Sequence, residues 1–371
     1  DSFIFTYTTD TFDGNDTING GSENDTIDYK AIVDSKYYGD IDLTAGTSKI
    51  IDSTDSAPAT QVKKSDVIVS IENVIGTSGN DIIKGNALSN TIDGGSGNDT
   101  ILYTFALLGG IVANLNAGTI DKVVDLGAGA VTVTDKVSDI ENVVGSDYDD
   151  TFITKLTTSN IIDGGESDTN GAGSSNGEGA TGDTIDYSSN GATKIEVDLS
   201  VLSSGYSNVT VSGTSAVNDK IKNIENIKGT SGNDLITGDD SKNTIFGYGG
   251  DDIINGKGGD DYIDGGDGDD TITGGAGKDV LKGGKGNDLF KDTSFTDDEI
   301  DGGSETSTRG SDTIDYSLVT GSYGVKVTLL DATIASVYIN DVKDHTIVNI
   351  ENILGTDQSD TITGDAGDNI L

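Results

Sequence analysis

Residues 247–291 read GYGGDDIINGKGGDDYIDGGDGDDTITGGAGKDVLKGGKGNDLFK, five units of nine residues without a break. Aligned, GYGGDDIIN, GKGGDDYID, GGDGDDTIT, GGAGKDVLK and GGKGNDLFK share the frame G-x-x-G-x-D-x-U-x, with U a large apolar residue. A period of nine matches neither a helix heptad nor the two-residue alternation of a half-buried strand. Each unit divides into a six-residue turn and a three-residue strand, because glycine accepts the positive φ of tight turns at no steric cost. Ile254, Ile263, Ile272, Leu281 and Phe290 then sit mid-strand and point inward. Two units make one 18-residue coil, and stacked coils pair as parallel strands. The expected fold is all-β, a parallel β-roll or β-helix solenoid interrupted by strand-rich inserts.

One inward apolar side chain per unit makes a thin core, too little to offset the ordering of nine residues. Aspartates stacked at equivalent turns add repulsion. The missing stabiliser is cationic, hard and oxygen-seeking. Calcium fits, since it takes six to eight oxygens from carboxylates and backbone carbonyls at flexible geometry. Magnesium prefers to keep its waters, and zinc is disfavoured by a chain with one His and no Cys. Turns on one edge are eighteen residues apart, so Asp252/Asp270, Asp261/Asp279 and Asp270/Asp288 are expected to hold ions between coils.

The nonapeptides resemble those of the RTX proteins, whose calcium-binding glycine- and aspartate-rich repeat has this frame. The resemblance implies a β-roll with calcium in its turns, and export by a type I system that reads a C-terminal signal. The frame extends upstream through GTSGNDLIT and GDDSKNTIF, so the run is seven units, from Gly229 to Lys291. Asn243 breaks the aspartate column there. Further units place Asp16, Asp25, Asp81, Asp99, Asp150, Asp234 and Asp360 in the same slot as Asp252, Asp261, Asp270, Asp279 and Asp288. These twelve are the candidate calcium ligands.

A longer repeat threads through the first. The tripeptide IEN recurs at 71–73, 140–142, 224–226 and 350–352, each time ahead of a nonapeptide opening in GT or GS. Glu72, Glu141, Glu225 and Glu351 fall in the aspartate slot. They close a capping coil without calcium, or they lend a longer carboxylate arm to the first ion. At the other end of each roll, Tyr29, Tyr103, Tyr187 and Tyr316 stand where the next glycine would be, and the chain is expected to leave the frame there. Alternating stretches such as KIEVDL (194–199) and VTVTD (131–135) read as strands in the segments that follow, and wider coils that continue the same stack are expected there.

The expected organisation begins with a partial roll at 1–28, an insert at 29–75, a roll at 76–102, an insert at 103–144 and a short roll with a Gly/Ser-rich loop at 145–186. An insert at 187–228, the main roll at 229–291, a loop excursion at 292–315, an insert at 316–354 and a partial roll at 355–371 complete it.

The net charge of −42 excludes nucleic acid, which needs a basic face, and disfavours anionic membranes. Without Cys there are no disulfides or thiolate metal sites, and no apolar run is long enough to span a bilayer. The missing initiator Met and the abrupt end at GDNIL lead us to expect a piece of a longer protein, or a processed form. His345 reads as an ordinary surface residue, with no second histidine and no G-x-S-x-G elbow to build a triad. A non-enzymatic role is expected: a calcium-dependent segment of a secreted surface-layer protein at the cell surface, self-associating into a lattice or bound to a cell-surface glycan. The alternatives are a stalk or ligand-binding region of a giant RTX adhesin, and the C-terminal calcium-binding part of a secreted RTX enzyme.

Overall fold

In the computed structural model the strand positions of the main run form Leu235–Thr237, Thr244–Gly249, Ile253–Gly258, Tyr262–Asp267, Thr271–Ala276, Val280–Lys285 and Leu289–Lys291. Successive strands alternate between two parallel sheets. Ile245 pairs with Ile263 and Ile263 with Leu281 in one, Ile254 with Ile272 and Ile272 with Phe290 in the other. Every partner is eighteen residues away, the expected coil. The inward residues Ile245, Ile254, Ile263, Ile272, Leu281 and Phe290 are all fully buried. The described residues are 1–4, 14–127, 129–165, 182–200, 205–213, 217–291, 296–303, 310–319, 324–330, 333–339 and 342–371.

Two glycines explain why the frame is strict. A Cβ on Gly265, the first residue of its unit, would lie 2.2 Å from the Asp270 carboxylate. Gly266, the second, has φ +110°, and a Cβ there would lie 2.2 Å from the Tyr248 carbonyl oxygen. The first position is reserved by crowding and the second by backbone conformation as well.

The chain forms two units, Asp1–Thr184 with Lys220–Asn223, and Ile185–Asp219 with Ile224–Leu371. Each contains inserts that are antiparallel meanders. In the first unit, Tyr37–Asp42, Thr47–Asp52 and Val62–Val69 form one, and Val112–Asn114, Thr119–Asp125 and Ala130–Ser138 another. In the second unit Val325–Thr328, Ala335–Ile339 and Val342–Val348 repeat the pattern. There too, Lys194–Asp198 pairs antiparallel with Ser207–Ser212. Each complete meander replaces one strand of a coil by three: its last strand pairs parallel with the preceding coil (Thr17 with Val67) and its first with the following one (Asp40 with Ile82). On the opposite sheet the ladder steps directly across, Thr26 to Asn73 and Thr100 to Asn142. The inserts are thus coils widened on one side.

The tyrosines that open the inserts are fully buried. Each donates its N–H to the strand after IEN, as Tyr29 does to Ile75 and Tyr103 to Val144, and so ends the ladder. The hydroxyl of Tyr103 donates to Asp135 (2.7 Å), which also pairs with Lys122 (2.6 Å). Tyr187 donates to Asp219 (3.1 Å). Five residues before IEN the fourth copy has His345 where the others have Asp66, Asp135 and Asp219, and Tyr316 bonds to its Nε2. His345 is therefore no surface residue: it is fully buried, with Nδ1 2.8 Å from Asp344.

Within 292–315, expected as a loop excursion, the described residues include two strands that carry the roll onward. Glu299–Asp301 pairs with Val280–Lys282 and Thr313–Asp315 with Leu289–Lys291. A ten-residue unit and an extended one hid the continuation from a strict nine-residue count. Most of the Gly/Ser-rich loop at 166–182 lies outside the described residues. Among the described residues no helix is long and apolar enough to cross a membrane.

Candidate metal centre

The slot aspartates form columns linked by one recurring hydrogen bond. The backbone N–H of each slot residue donates to the carboxylate of the slot residue in the next layer. Asp234 donates to Asp252 Oδ1 (2.7 Å), Asp252 to Asp270 (2.8 Å) and Asp270 to Asp288 (2.9 Å) on one edge. On the other edge Asn243 donates to Asp261 (2.8 Å), Asp261 to Asp279 (2.9 Å) and Asp279 to Asp298 (2.8 Å). In the first unit Asp81 donates to Asp99 (2.7 Å) and Asp150 to Asp183 (2.8 Å). The slot side chains, Asp16 and Asp360 excepted, are buried although the turns that carry them are at the surface.

The second carboxylate oxygen divides the columns into two classes. In Asp25, Asp99, Asp252, Asp261, Asp270 and Asp279, Oδ2 is buried and makes no hydrogen bond. In Asp81, Asp150 and Asp234 it accepts the N–H of Thr77, Ser146 or Thr230, each at 2.6 Å, while the hydroxyl of that residue bonds Oδ1. Thr356 bonds Asp360 through its hydroxyl in the same way, at 2.9 Å. The difference lies in the second residue of the turn. Gly21, Gly95, Tyr248, Lys257, Gly266 and Gly275, which precede the six orphaned carboxylates, all have positive φ. Thr77, Ser146, Thr230 and Thr356 do not. With φ negative, as at Thr77, Ser146 and Thr230, the second N–H caps its own aspartate; with φ positive it does not.

An anion buried with an unsatisfied oxygen is costly unless paired. Burial, aggravated by neighbouring carboxylates, pushes Asp252 up to about 8 and Asp99, Asp261 and Asp270 to about 7. Asp279 is also raised by burial. Burial raises Asp81 and Asp150 only to about 6, because hydrogen bonds from the N–H groups of Gly39 and Ile111, joined by those from Thr77 and Ser146, hold their charged form. The orphaned oxygens fit a hard cation. Among the described residues no three His, Cys, Asp or Glu side chains converge, so backbone carbonyls would have to supply most of a calcium shell. They are close at hand: the carbonyl oxygen of Gly265 lies 2.5 Å, and Asp252 Oδ2 2.2 Å, from the position of a Cβ on Gly247.

Asp16 stands apart from the other aspartates singled out in the sequence: its carboxylate pairs with the buried ammonium of Lys64 at 2.8 Å. Three slot residues escaped the sequence reading. Asp183, Asp298 and Asp312 accept the N–H of Asp150, Asp279 and Asp288 at separations of 33, 19 and 24 residues instead of 18.

The IEN corners are built differently. Strand Ala130–Ser138 ends three residues before Asn142–Val144 begins, so Asp139-Ile140-Glu141 does the work of a six-residue turn. Asp139 has φ +49°, and Ser70, Asn223 and Asn349 at the same point have φ +52°, +53° and +56°. Glu72, Glu141 and Glu351 reach back with Oε2 to the N–H of Asp25, Asp99 and Asp312, each at 3.0 Å. The extra methylene of Glu spans what the shorter turn leaves open. One layer on, Asn90, Asn160, Asn243 and Asn369 donate Nδ2 to the carbonyls of Glu72, Glu141, Glu225 and Glu351 (2.8–3.0 Å). An amide can donate there and a carboxylate cannot. These four Asn positions carry a signal in the sequence, a lost aspartate one coil after each IEN.

Fold and site together define a parallel β-roll whose glycine turns present buried carboxylates to a cation. The family model of the RTX calcium-binding nonapeptide repeat (4 copies) matches residues 10–28, 71–103, 228–263, 255–290 and 349–371, and the chain carries these RTX repeats. No curated protein matches the chain. Among solved structures, the extracellular lipase LipA from Serratia marcescens aligns at 13% identity over 75% of this chain and 38% of its own, with a TM-score of 0.14. The chain thus spans well under half of that lipase, and a likeness this low carries no argument about fold or activity.

Proposed function

We propose that this chain is a calcium-dependent structural segment of a secreted surface-layer protein, non-catalytic, folding and assembling on extracellular calcium. The observation that supports it is the row of buried carboxylates with one oxygen unbonded at Asp252, Asp261, Asp270 and Asp279. Before export, in low calcium, these anions and a net charge of −42 oppose the coiled state. Outside, calcium would neutralise each corner and tie adjacent layers together. Asp252, Asp261, Asp270 and Asp279 would hold the ion with glycine carbonyls of the turns. The inward isoleucines then exclude water from the interior. The repeated meanders, which widen coils on one side, suit a structural role.

The test is calcium titration of the purified chain by far-UV circular dichroism, followed by electron microscopy of the calcium-loaded protein. Strand signal that grows with calcium, then ordered arrays, is the expected result. Identical spectra in calcium and chelator would remove the basis of the reading. A calcium-folded chain that stays monomeric at all concentrations would remove the lattice.

A further inference from the structure

The outer face of one sheet in the main roll carries an aromatic cluster. The Phe246 and Tyr248 rings are stacked at 5.9 Å, and Phe246 and Tyr262 meet at 5.7 Å. Only 6% of the chain is aromatic, so three rings on two adjacent layers are a concentration. Polar groups border them. Lys282 Nζ lies 2.8 Å from the Tyr262 hydroxyl, and Phe246, Asp264 and Lys282 stand in one cross-strand column.

Tyr248 is the informative member. It takes φ +73° at the second turn position, where Gly266, Gly275 and Gly284 stand in later units, and it is 42% exposed. Lys257 is the other substituted case, at φ +81°. A bulky residue held in the left-handed region is strained, and glycine would serve the turn better. Its ring is left half-exposed beside that of Phe246.

We propose that the Phe246–Tyr248–Tyr262 face binds a neutral polysaccharide. The rings offer flat apolar surface to the C–H face of a sugar, while the Tyr262 hydroxyl, Lys282 ammonium and Asp264 carboxylate offer hydrogen bonds to its hydroxyls. A chain at −42 disfavours uronate or sulfate polymers. The proposal stands whether or not the chain forms a lattice.

Affinity electrophoresis in millimolar calcium tests it, with laminarin, dextran or mannan in the gel and alginate as the anionic comparison. Retardation by at least one neutral polymer is expected, weakened about tenfold in Tyr248→Gly or Tyr262→Ala. Tyr248→Gly should keep or raise the melting temperature in calcium, because it relieves backbone strain, so lost binding there is not lost folding. Migration unchanged by all three neutral polymers, retardation by alginate alone, or undiminished binding in both variants would overturn the proposal. Self-association abolished by Tyr248→Gly without sugar binding would give the face to a second copy and overturn it equally.

Discussion

At the residue scale, twelve aspartates that look equivalent by spacing do different jobs, and substitution should separate them. Asp270 has an unbonded oxygen and sits between Asp252 and Asp288 in its column, so Asp270→Ala should raise the calcium midpoint of folding on the order of tenfold. Asp16, already paired with Lys64, should shift it far less when changed to Ala. Asp234→Asn should instead cost about 1–3 kcal/mol in urea unfolding at any calcium level, since its oxygens serve Thr230 and Ile195. Equal calcium shifts for Asp270→Ala and Asp234→Asn would refute the two-class division. The aspartate slot was legible in the sequence. Its two classes were written there too, as Thr or Ser versus Gly, Tyr or Lys after the first glycine, but the meaning depends on φ, which spacing does not reveal.

The same carboxylates set a pH dependence. The ordinary value for Asp is 3.8, and Asp252, Asp99, Asp261 and Asp270 are raised to about 7 or 8. Between these values the metal-free fold holds protons that the unfolded chain has released, so its stability falls as pH rises. The fall starts near pH 4 and is complete above about pH 8. Calcium takes the place of the protons, so its binding should release them. In chelator the chain should show more strand signal at pH 5 than at pH 8, and the calcium needed to fold it should rise over the same interval, because protons no longer help to hold the metal-free fold. A metal-free fold more stable at pH 8 than at pH 5 would contradict the sign.

At the scale of the element, three kinds of corner turn the coils. Glycine turns with positive φ leave a carboxylate oxygen for a cation; Thr or Ser turns satisfy it internally; three-residue IEN turns replace the whole device with Glu and, a layer later, Asn. The last pairing predicts that Asn90→Asp destabilises the fold by about 1–3 kcal/mol with or without calcium, because a carboxylate would face the Glu72 carbonyl in place of an amide donor. Chemical denaturation in calcium and in chelator measures it. No loss, or a loss confined to one condition, would show that the amide is incidental. The nonapeptide coil was readable from residues 247–291 because its period is strict. Of the meanders, the strands and the wider coils were readable but their pairing was not, because it depends on partners far off in sequence, Ile82 for Asp40 and Thr17 for Val67. The units at Asp298 and Asp312 failed to register because an altered unit length left the ladder intact while breaking the count.

At the scale of the molecule, the demand for a cation is uneven. In the first unit the unbonded carboxylate oxygens include those of Asp25 and Asp99, set among corners closed by Thr77, Ser146 and Glu141. In the second they crowd into one uninterrupted run, at Asp252, Asp261, Asp270 and Asp279. Loss of calcium should therefore not melt the chain evenly. Hydrogen exchange read by mass spectrometry in chelator at pH 8 should show residues 247–291 exchanging first, with peptides around Thr77–Asp81 and Ser146–Asp150 still protected. Trypsin should cut at Lys257, Lys278, Lys282 and Lys285 under the same conditions and spare them in calcium. The most regular part of the sequence would then be the least stable part of the metal-free protein, because regular repetition stacks like charges in register while the irregular corners supply their own hydrogen bonds. Uniform exchange across both units, or protection of 247–291 outlasting that of Thr77–Asp81, would show that strand pairing rather than the carboxylate columns decides where the metal-free chain opens.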